Sequence, residues 1–71
     1  MNFNGHDIER AHRAAQETIR SYPDVRYGQA FFNELPDEAR KLLEARPDLD
    51  PFYDNGNVNA ATTFLYERLS G

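Results

Sequence analysis

The fold of this chain is decided by two phrases within residues 24–54. The first reads Arg26-Tyr27-Gly28-Gln29-Ala30-Phe31-Phe32-Asn33-Glu34-Leu35-Pro36, and the second reads Asp50-Pro51-Phe52-Tyr53-Asp54. Together they hold most of the aromatic residues and the clearest start and stop signals of the sequence. Prolines and turn-forming residues separate short apolar runs here, so the segment predicts two short helices followed by a loop.

The first phrase predicts a helix over residues 24–34, with Asp24 as its N-cap. Gly28 in the helix interior costs about 1 kcal/mol relative to Ala, so we expect a neighbouring helix or an aromatic ring to approach it closely. A short helix that carries both Phe31 and Phe32 buries one ring and places the other sideways, at the surface. The sequence leaves open which of the two rings is buried.

The next helix is predicted over residues 36–46. Pro36 suits the first helical position because its missing amide would be unpaired there anyway. Pro47 ends the helix, and residues 47–56 are too rich in Pro, Asp, Asn and Gly for regular structure. This loop also contains apolar residues that favour burial, so we expect it to fold back over the core. They are Leu49, Phe52 and Tyr53.

Longer helices are predicted on both sides of this middle segment, over residues 5–21 and 58–69. Apolar residues recur in both at steps of three and four. Asn4 is the expected N-cap of the first helix and Asn57 of the last. The sequence therefore predicts an all-α fold, a compact bundle of four helices (about 5–21, 24–34, 36–46 and 58–69) in a single domain, 1–71.

The size of the chain limits its stability. With 71 residues it lies near the lower limit at which one apolar core holds a protein together. It contains no Cys, which excludes disulfides and thiolate metal sites. Association with a second copy or with another protein is the expected source of additional stability, so a homo-oligomer is one possible state.

The formal net charge is −4, and the imbalance lies in the second half of the chain. Residues 34–71 carry eight acids against four basic residues, whereas residues 1–33 are balanced. Because nucleic-acid affinity rests on cation–phosphate contacts, this charge favours a protein partner with a basic patch. No apolar run reaches the roughly 18 residues of a membrane span and no signal-peptide pattern is present, so we expect a cytoplasmic protein without a membrane segment.

Candidate metal and catalytic sites fail on residue type or spacing. Glu9 and His12 lie three apart, as in carboxylate-bridged di-iron bundles, but those bundles need the motif twice, so both residues are expected on a solvated helix face. An EF-hand whose sixth residue is Gly56 would have Thr62 at its twelfth position, where Glu is required. Nucleophile elbows and glycine-rich phosphate loops are missing. We expect no metal, no cofactor and no enzymatic activity.

A small DNA-associated regulator of the helix-turn-helix kind is the alternative to a protein-binding role. The predicted helices 24–34 and 36–46 could form the motif, with Arg40, Lys41 and Glu44 on the second helix. Asp37 and Glu38, however, stand at the end of that helix where base contacts are normally made.

The aromatic residues predict a protein–protein interface. A body this small cannot enclose all of its rings, and aromatic side chains are common interface anchors. The alternative, in which the rings only shield a small core, stays open. The candidate interface residues are Tyr22, Tyr27, Phe31, Phe32, Phe52, Tyr53 and Tyr66.

The two phrases also resemble a known group of proteins. Arg26-Tyr27-Gly28-Gln29-Ala30-x-x-Asn33-x-Leu35-Pro36, followed by an acidic helix and Asp50-Pro51-Phe52-Tyr53, is similar to short proteins that bacteriophages and prophages encode, especially phages of actinobacteria. The resemblance covers residues 24–54 and brings no assigned activity. It implies a phage accessory protein in the host cytoplasm, and we expect it to bind a host or phage protein stoichiometrically. A structural role in the virion stays open.

Overall fold

The computed structural model describes residues 2–70, which contain four α-helices and one 3₁₀ turn. The helices are α1 (Gly5–Ser21), α2 (Tyr27–Glu34), α3 (Asp37–Glu44) and α4 (Val58–Ser70), and the 3₁₀ turn is Asn55–Asn57. These described residues contain no strand, and the predicted all-α fold of four helices is confirmed. Met1 and Gly71, the two ends of the predicted domain, lie outside the described residues.

The bounds of α1 agree with the sequence prediction because its stop and start signals are local. The side chain of Asn4 accepts a hydrogen bond from the amide of Asp7 (3.1 Å), and the Asp7 carboxylate accepts one from the amide of Asn4 (3.0 Å). This reciprocal capping box satisfies two amides at the helix start. Pro23 follows the C-cap, Tyr22, and disfavours the helical conformation there.

α2 begins three residues later than predicted, and Asp24 is not its N-cap. The amide of Val25 donates to the carbonyl oxygen of Tyr22 (3.0 Å), so the chain makes a turn after α1 before the new helix starts. Arg26 is the N-cap and offers no side-chain hydrogen bond. The amide of Gly28 instead donates to the side-chain oxygen of Asn55 (2.7 Å), which lies 27 positions away.

α3 and α4 also differ from prediction at their ends. α3 begins after Pro36, which is its N-cap, and ends at Glu44 because the chain turns ahead of Pro47. The 3₁₀ turn precedes α4. The N-cap of this turn is Asp54, whose carboxylate accepts a hydrogen bond from the amide of Gly56 (2.8 Å). The predicted cap of α4, Asn57, donates its side-chain amide to the carbonyl oxygen of Asp50 (3.1 Å).

All four helices contribute to one core. α1 packs against α2 and α4, and the radius of gyration of 11.2 Å matches the value of about 11 Å that a compact chain of this length adopts. No helix within residues 2–70 is both long enough and apolar enough to cross a lipid bilayer. The buried apolar residues are Phe3, Ile8, Ala11, Ala15, Ala30, Phe31, Phe32, Leu35, Ala39, Leu43, Val58, Ala61 and Leu65.

The loop between α3 and the 3₁₀ turn covers this core, as predicted. Pro51 is fully buried, and Leu49 and Phe52 pack against the core residues. Tyr53 departs from the prediction because its side chain points away from the core and is 75% exposed. The loop therefore buries one aromatic ring against the bundle and presents the next one to solvent.

The prediction that one ring of the phenylalanine pair lies at the surface is wrong. Phe31 is fully buried and Phe32 is 8% exposed. The ring of Phe52 lies over Phe32 in an edge-to-face contact, with 5.6 Å between the ring centres. The loop therefore supplies the cover for the second ring, which a short isolated helix would have left in water.

Candidate functional site

An open cleft of about 460 Å³ lies between the loop and the helices α2 and α3. Three of its walls are aromatic rings and two of its lining residues are acids, and we call it the aromatic cleft. Its lining residues are Phe32, Glu44, Pro47, Asp50, Phe52 and Tyr53.

Two turns in the chain place the loop beside α3. The amide of Leu49 donates to the carbonyl oxygen of Arg46 (2.8 Å), which reverses the chain at Pro47. The buried Asp50 then accepts the amide of Phe52 (2.9 Å), an Asx turn that sets the direction of the Phe52 side chain. Both turns bring the aromatic segment of the loop back over α2.

Arg26 fixes the far end of this segment. Its guanidinium donates to the carbonyl oxygens of Phe52 (2.9 Å) and Tyr53 (3.1 Å). The hydrogen bond from Gly28 to Asn55 anchors the next residues of the chain to the start of α2. Tyr53 therefore has an exposed side chain on a backbone that is held at several points, which reduces the conformational entropy that binding would cost.

The three rings of the cleft form adjoining walls. The Phe32 and Phe52 rings meet at 71°, and the Phe52 and Tyr53 rings meet at 72° with 5.0 Å between their centres. Edge-to-face pairs of this kind add to the stability that ring burial provides. Because neighbouring rings are steeply inclined, they border the open space and do not close it by stacking.

The candidate interface residues are not gathered at one place. Phe32, Phe52 and Tyr53 line the aromatic cleft, whereas Tyr66 is 39% exposed and lines a separate shallow hollow on α4. Tyr22 is 66% exposed at the C-cap of α1. The two remaining candidates, Tyr27 and Phe31, contact His12 inside the bundle.

Sequence reasoning did not assign Glu44, Pro47 and Asp50 to a surface with the aromatic residues. The Asx turn at Asp50 was predictable from the sequence, because an Asp side chain often accepts the backbone amide two positions later. The position of Glu44 beside the rings was not predictable from the sequence, since it depends on how α3 and the loop pack against each other.

His12 is not on a solvated helix face, which corrects the sequence prediction. Its ring stacks on Phe31 with 4.2 Å between the ring centres. The hydroxyl of Thr62 donates to the carbonyl oxygen of Val58 (2.8 Å), and its oxygen lies 3.0 Å from Nε2 of His12. The hydroxyl of Tyr27 donates to the carbonyl oxygen of His12 (3.3 Å) and lies 2.8 Å from Nδ1 of the same residue.

This arrangement links α1, α2 and α4 through the imidazole of His12. Burial lowers the pKa of His12 and raises the pKa of Tyr27, so burial favours the uncharged form of each side chain. The aromatic cleft is not lined by His12, Tyr27 or Thr62. Within residues 2–70, no three potential metal ligands come together. The contacts of His12 with Tyr27 and Thr62 therefore hold α1, α2 and α4 together. The aromatic cleft is the candidate site.

Stability is expected to fall as the pH drops below about 6.5, the usual pKa of a histidine in an unfolded chain. The pKa of His12 is lower in the folded state because of burial, so the unfolded state binds more protons between the two pKa values. The free energy of unfolding therefore rises with pH across this window. Urea unfolding at about pH 8, 7 and 6 measures the slope.

The matched variants are His12→Gln and His6→Gln, because His6 is an exposed histidine on the same helix. The slope between about pH 7 and 6 should become smaller in His12→Gln. An unchanged slope in that variant would show that His12 does not contribute to it.

No protein-family model, curated protein or solved structure matches this chain.

Proposed function

We propose that the protein acts by binding another protein stoichiometrically, with the aromatic cleft as its docking site. The observation that carries the proposal is the exposed ring of Tyr53 on a fixed backbone, beside two further rings that line the same open space. Interface hot spots are enriched in aromatic residues that are surrounded by well-packed neighbours. The resemblance to phage-encoded proteins suggests an accessory protein whose partner is a host or phage protein in the bacterial cytoplasm.

Tyr53→Ala is expected to weaken binding by about 30-fold or more, since the loss of an aromatic anchor costs at least about 2 kcal/mol. Its effect on the free energy of unfolding should stay below about 1 kcal/mol because the side chain is mostly exposed. Tyr22→Ala is the matched control, because Tyr22 is another mostly exposed tyrosine, at the C-cap of α1. The measurement is capture from an actinobacterial lysate, followed by titration of the captured protein.

The proposal fails if the wild-type chain captures nothing above background, or if Tyr53→Ala captures the same protein with the same affinity. Light scattering of the isolated protein tests whether the occupant is a second copy. A dimer that Tyr53→Ala dissociates would identify self-association as the function of the cleft.

The alternative, a helix-turn-helix regulator of DNA, has less support. The guanidinium of Arg40 is paired with the carboxylate of Asp37 on the same helix, and Glu38 adds a further acid at the start of α3. A gel shift at about 50 mM salt decides between the two functions, because low salt strongly favours binding to phosphates. A shift that Arg40→Gln abolishes would favour the regulator.

A further inference from the structure

We propose that the aromatic cleft receives a lysine or arginine side chain from a basic segment of the partner protein. This inference rests on the proposed function, and it names the chemistry that the docking site recognises. Three features of the cleft carry it: the rings, the acids and the way the chain uses its own nearby cations.

The rings provide a surface that attracts cations. An ammonium or guanidinium group within about 6 Å of a ring centre is drawn to the negative face of the ring. The rings of Phe52 and Tyr53 meet at 72° and line the cleft beside the buried Phe32, so a cation in the cleft would lie next to two rings. The chain already forms this contact elsewhere, because the guanidinium of Arg46 lies 5.4 Å from the ring centre of Phe64.

The ionisable residues of the cleft have the same sign of charge. Of its six lining residues, Glu44 and Asp50 are acids and none is basic. Asp50 is 6% exposed, and its Oδ1 accepts the amide of Phe52. No ion pair within residues 2–70 involves Glu44. A cation in the cleft would therefore gain a carboxylate partner in addition to the rings, whereas a phosphate or an acidic side chain would be repelled.

Two basic residues beside the cleft are committed to the protein itself, whereas Lys41 lines an adjoining hollow that shares Phe32 and Glu44 with the cleft. Arg46 forms a two-point ion pair with Asp48 (3.2 and 3.0 Å) and packs on Phe64. Arg26 is bound to the backbone of the loop. The cleft volume of about 460 Å³ falls within the range of about 300–1,000 Å³ that is usual for binding clefts. None of these basic residues lines the cleft itself, which is open to a cation from outside.

The test uses short Gly/Ser peptides that differ only in the central residue: lysine, arginine, norleucine or glutamate. NMR titration follows the ring protons of Phe52 and Tyr53. We expect the lysine and arginine peptides to bind about 10-fold more tightly than norleucine, which has the same apolar stem without the charge. Glu44→Gln should weaken binding of the basic peptides by about 2- to 5-fold and leave the norleucine peptide unaffected.

Glu67→Gln is the control variant, because Glu67 is an exposed acid in the separate hollow on α4. Equal binding of norleucine and lysine, tighter binding of glutamate, or an equal loss in Glu67→Gln would each overturn the inference. Choline tests a small-molecule source of the cation, and tighter binding of choline than of the lysine peptide would also overturn it. If capture of a protein still depends on Tyr53 while basic peptides fail to bind, this inference falls and the proposed function stands.

Discussion

Phe31→Ala is expected to lower the free energy of unfolding by about 3–5 kcal/mol, the usual cost of deleting a buried phenylalanine ring. Phe31 is fully buried at the centre of the core and stacks on the imidazole of His12. Removing the ring leaves a cavity and takes away the apolar cover of the half-buried imidazole of His12. Single domains have a net free energy of unfolding of about 0.05–0.15 kcal/mol per residue. The expected loss is therefore comparable with the whole net stability of a chain of this length.

Urea unfolding followed by far-ultraviolet circular dichroism measures the effect. Tyr22→Ala, at an exposed position, should change the free energy of unfolding by less than about 0.5 kcal/mol. If Phe31→Ala is unfolded from the outset, Phe31→Leu gives a measurable value, which we expect at about 1–3 kcal/mol. A loss below about 1 kcal/mol in Phe31→Ala would mean that the ring is not the centre of the core.

Gly28→Ala is expected to destabilise the protein by about 2 kcal/mol or more, although alanine favours a helix by about 1 kcal/mol. An added Cβ would meet the carbonyl oxygen of Pro51 directly and would lie 2.9 Å from the side-chain oxygen of Asn55. The first of these neighbours is backbone, so it cannot rotate away as a flexible side chain would. The loop would have to move off α2, and the hydrogen bond from the Gly28 amide to Asn55 would be strained or lost.

The matched control is Gly5→Ala, because an added Cβ there would lie 3.4 Å from a ring carbon of Tyr66, an ordinary contact. That variant should be unchanged or more stable by up to about 1 kcal/mol. Amide hydrogen exchange of residues 48–56 reports the loop itself, and exchange should accelerate in Gly28→Ala alone. Equal stability and equal exchange in the two variants would contradict close packing of the loop on α2.

The contact at Gly28 also corrects the sequence prediction. A neighbouring helix or an aromatic ring was expected to approach this glycine, and the neighbour is instead the backbone of the loop. Because that loop forms one side of the aromatic cleft, Gly28→Ala should weaken the proposed protein binding as well as stability. The glycine thus connects the fold of the chain to its candidate site, since a larger residue would displace the segment that carries Phe52 and Tyr53.

Features that depend on neighbouring residues were predictable from the sequence. Asn4 and Asp7 start α1, Pro23 prevents its continuation, and the apolar spacing places the buried stripe of α1 and of α4. These signals act between residues within about four positions, where the chain geometry is already fixed by the helix. The loop over the core was equally predictable, because Leu49 and Phe52 are apolar residues in a segment that cannot form a helix.

Tertiary structure alone decided the start of α2, the burial of both phenylalanines and the composition of the cleft. Asn55 accepts the amide of Gly28 across 27 positions, and Phe52 covers Phe32 across 20. Glu44 joins the rings only because α3 and the loop meet at that point. Such contacts depend on how separate elements pack. The partner of the Gly28 amide and the cover of the Phe32 ring are residues that only the packed fold brings close.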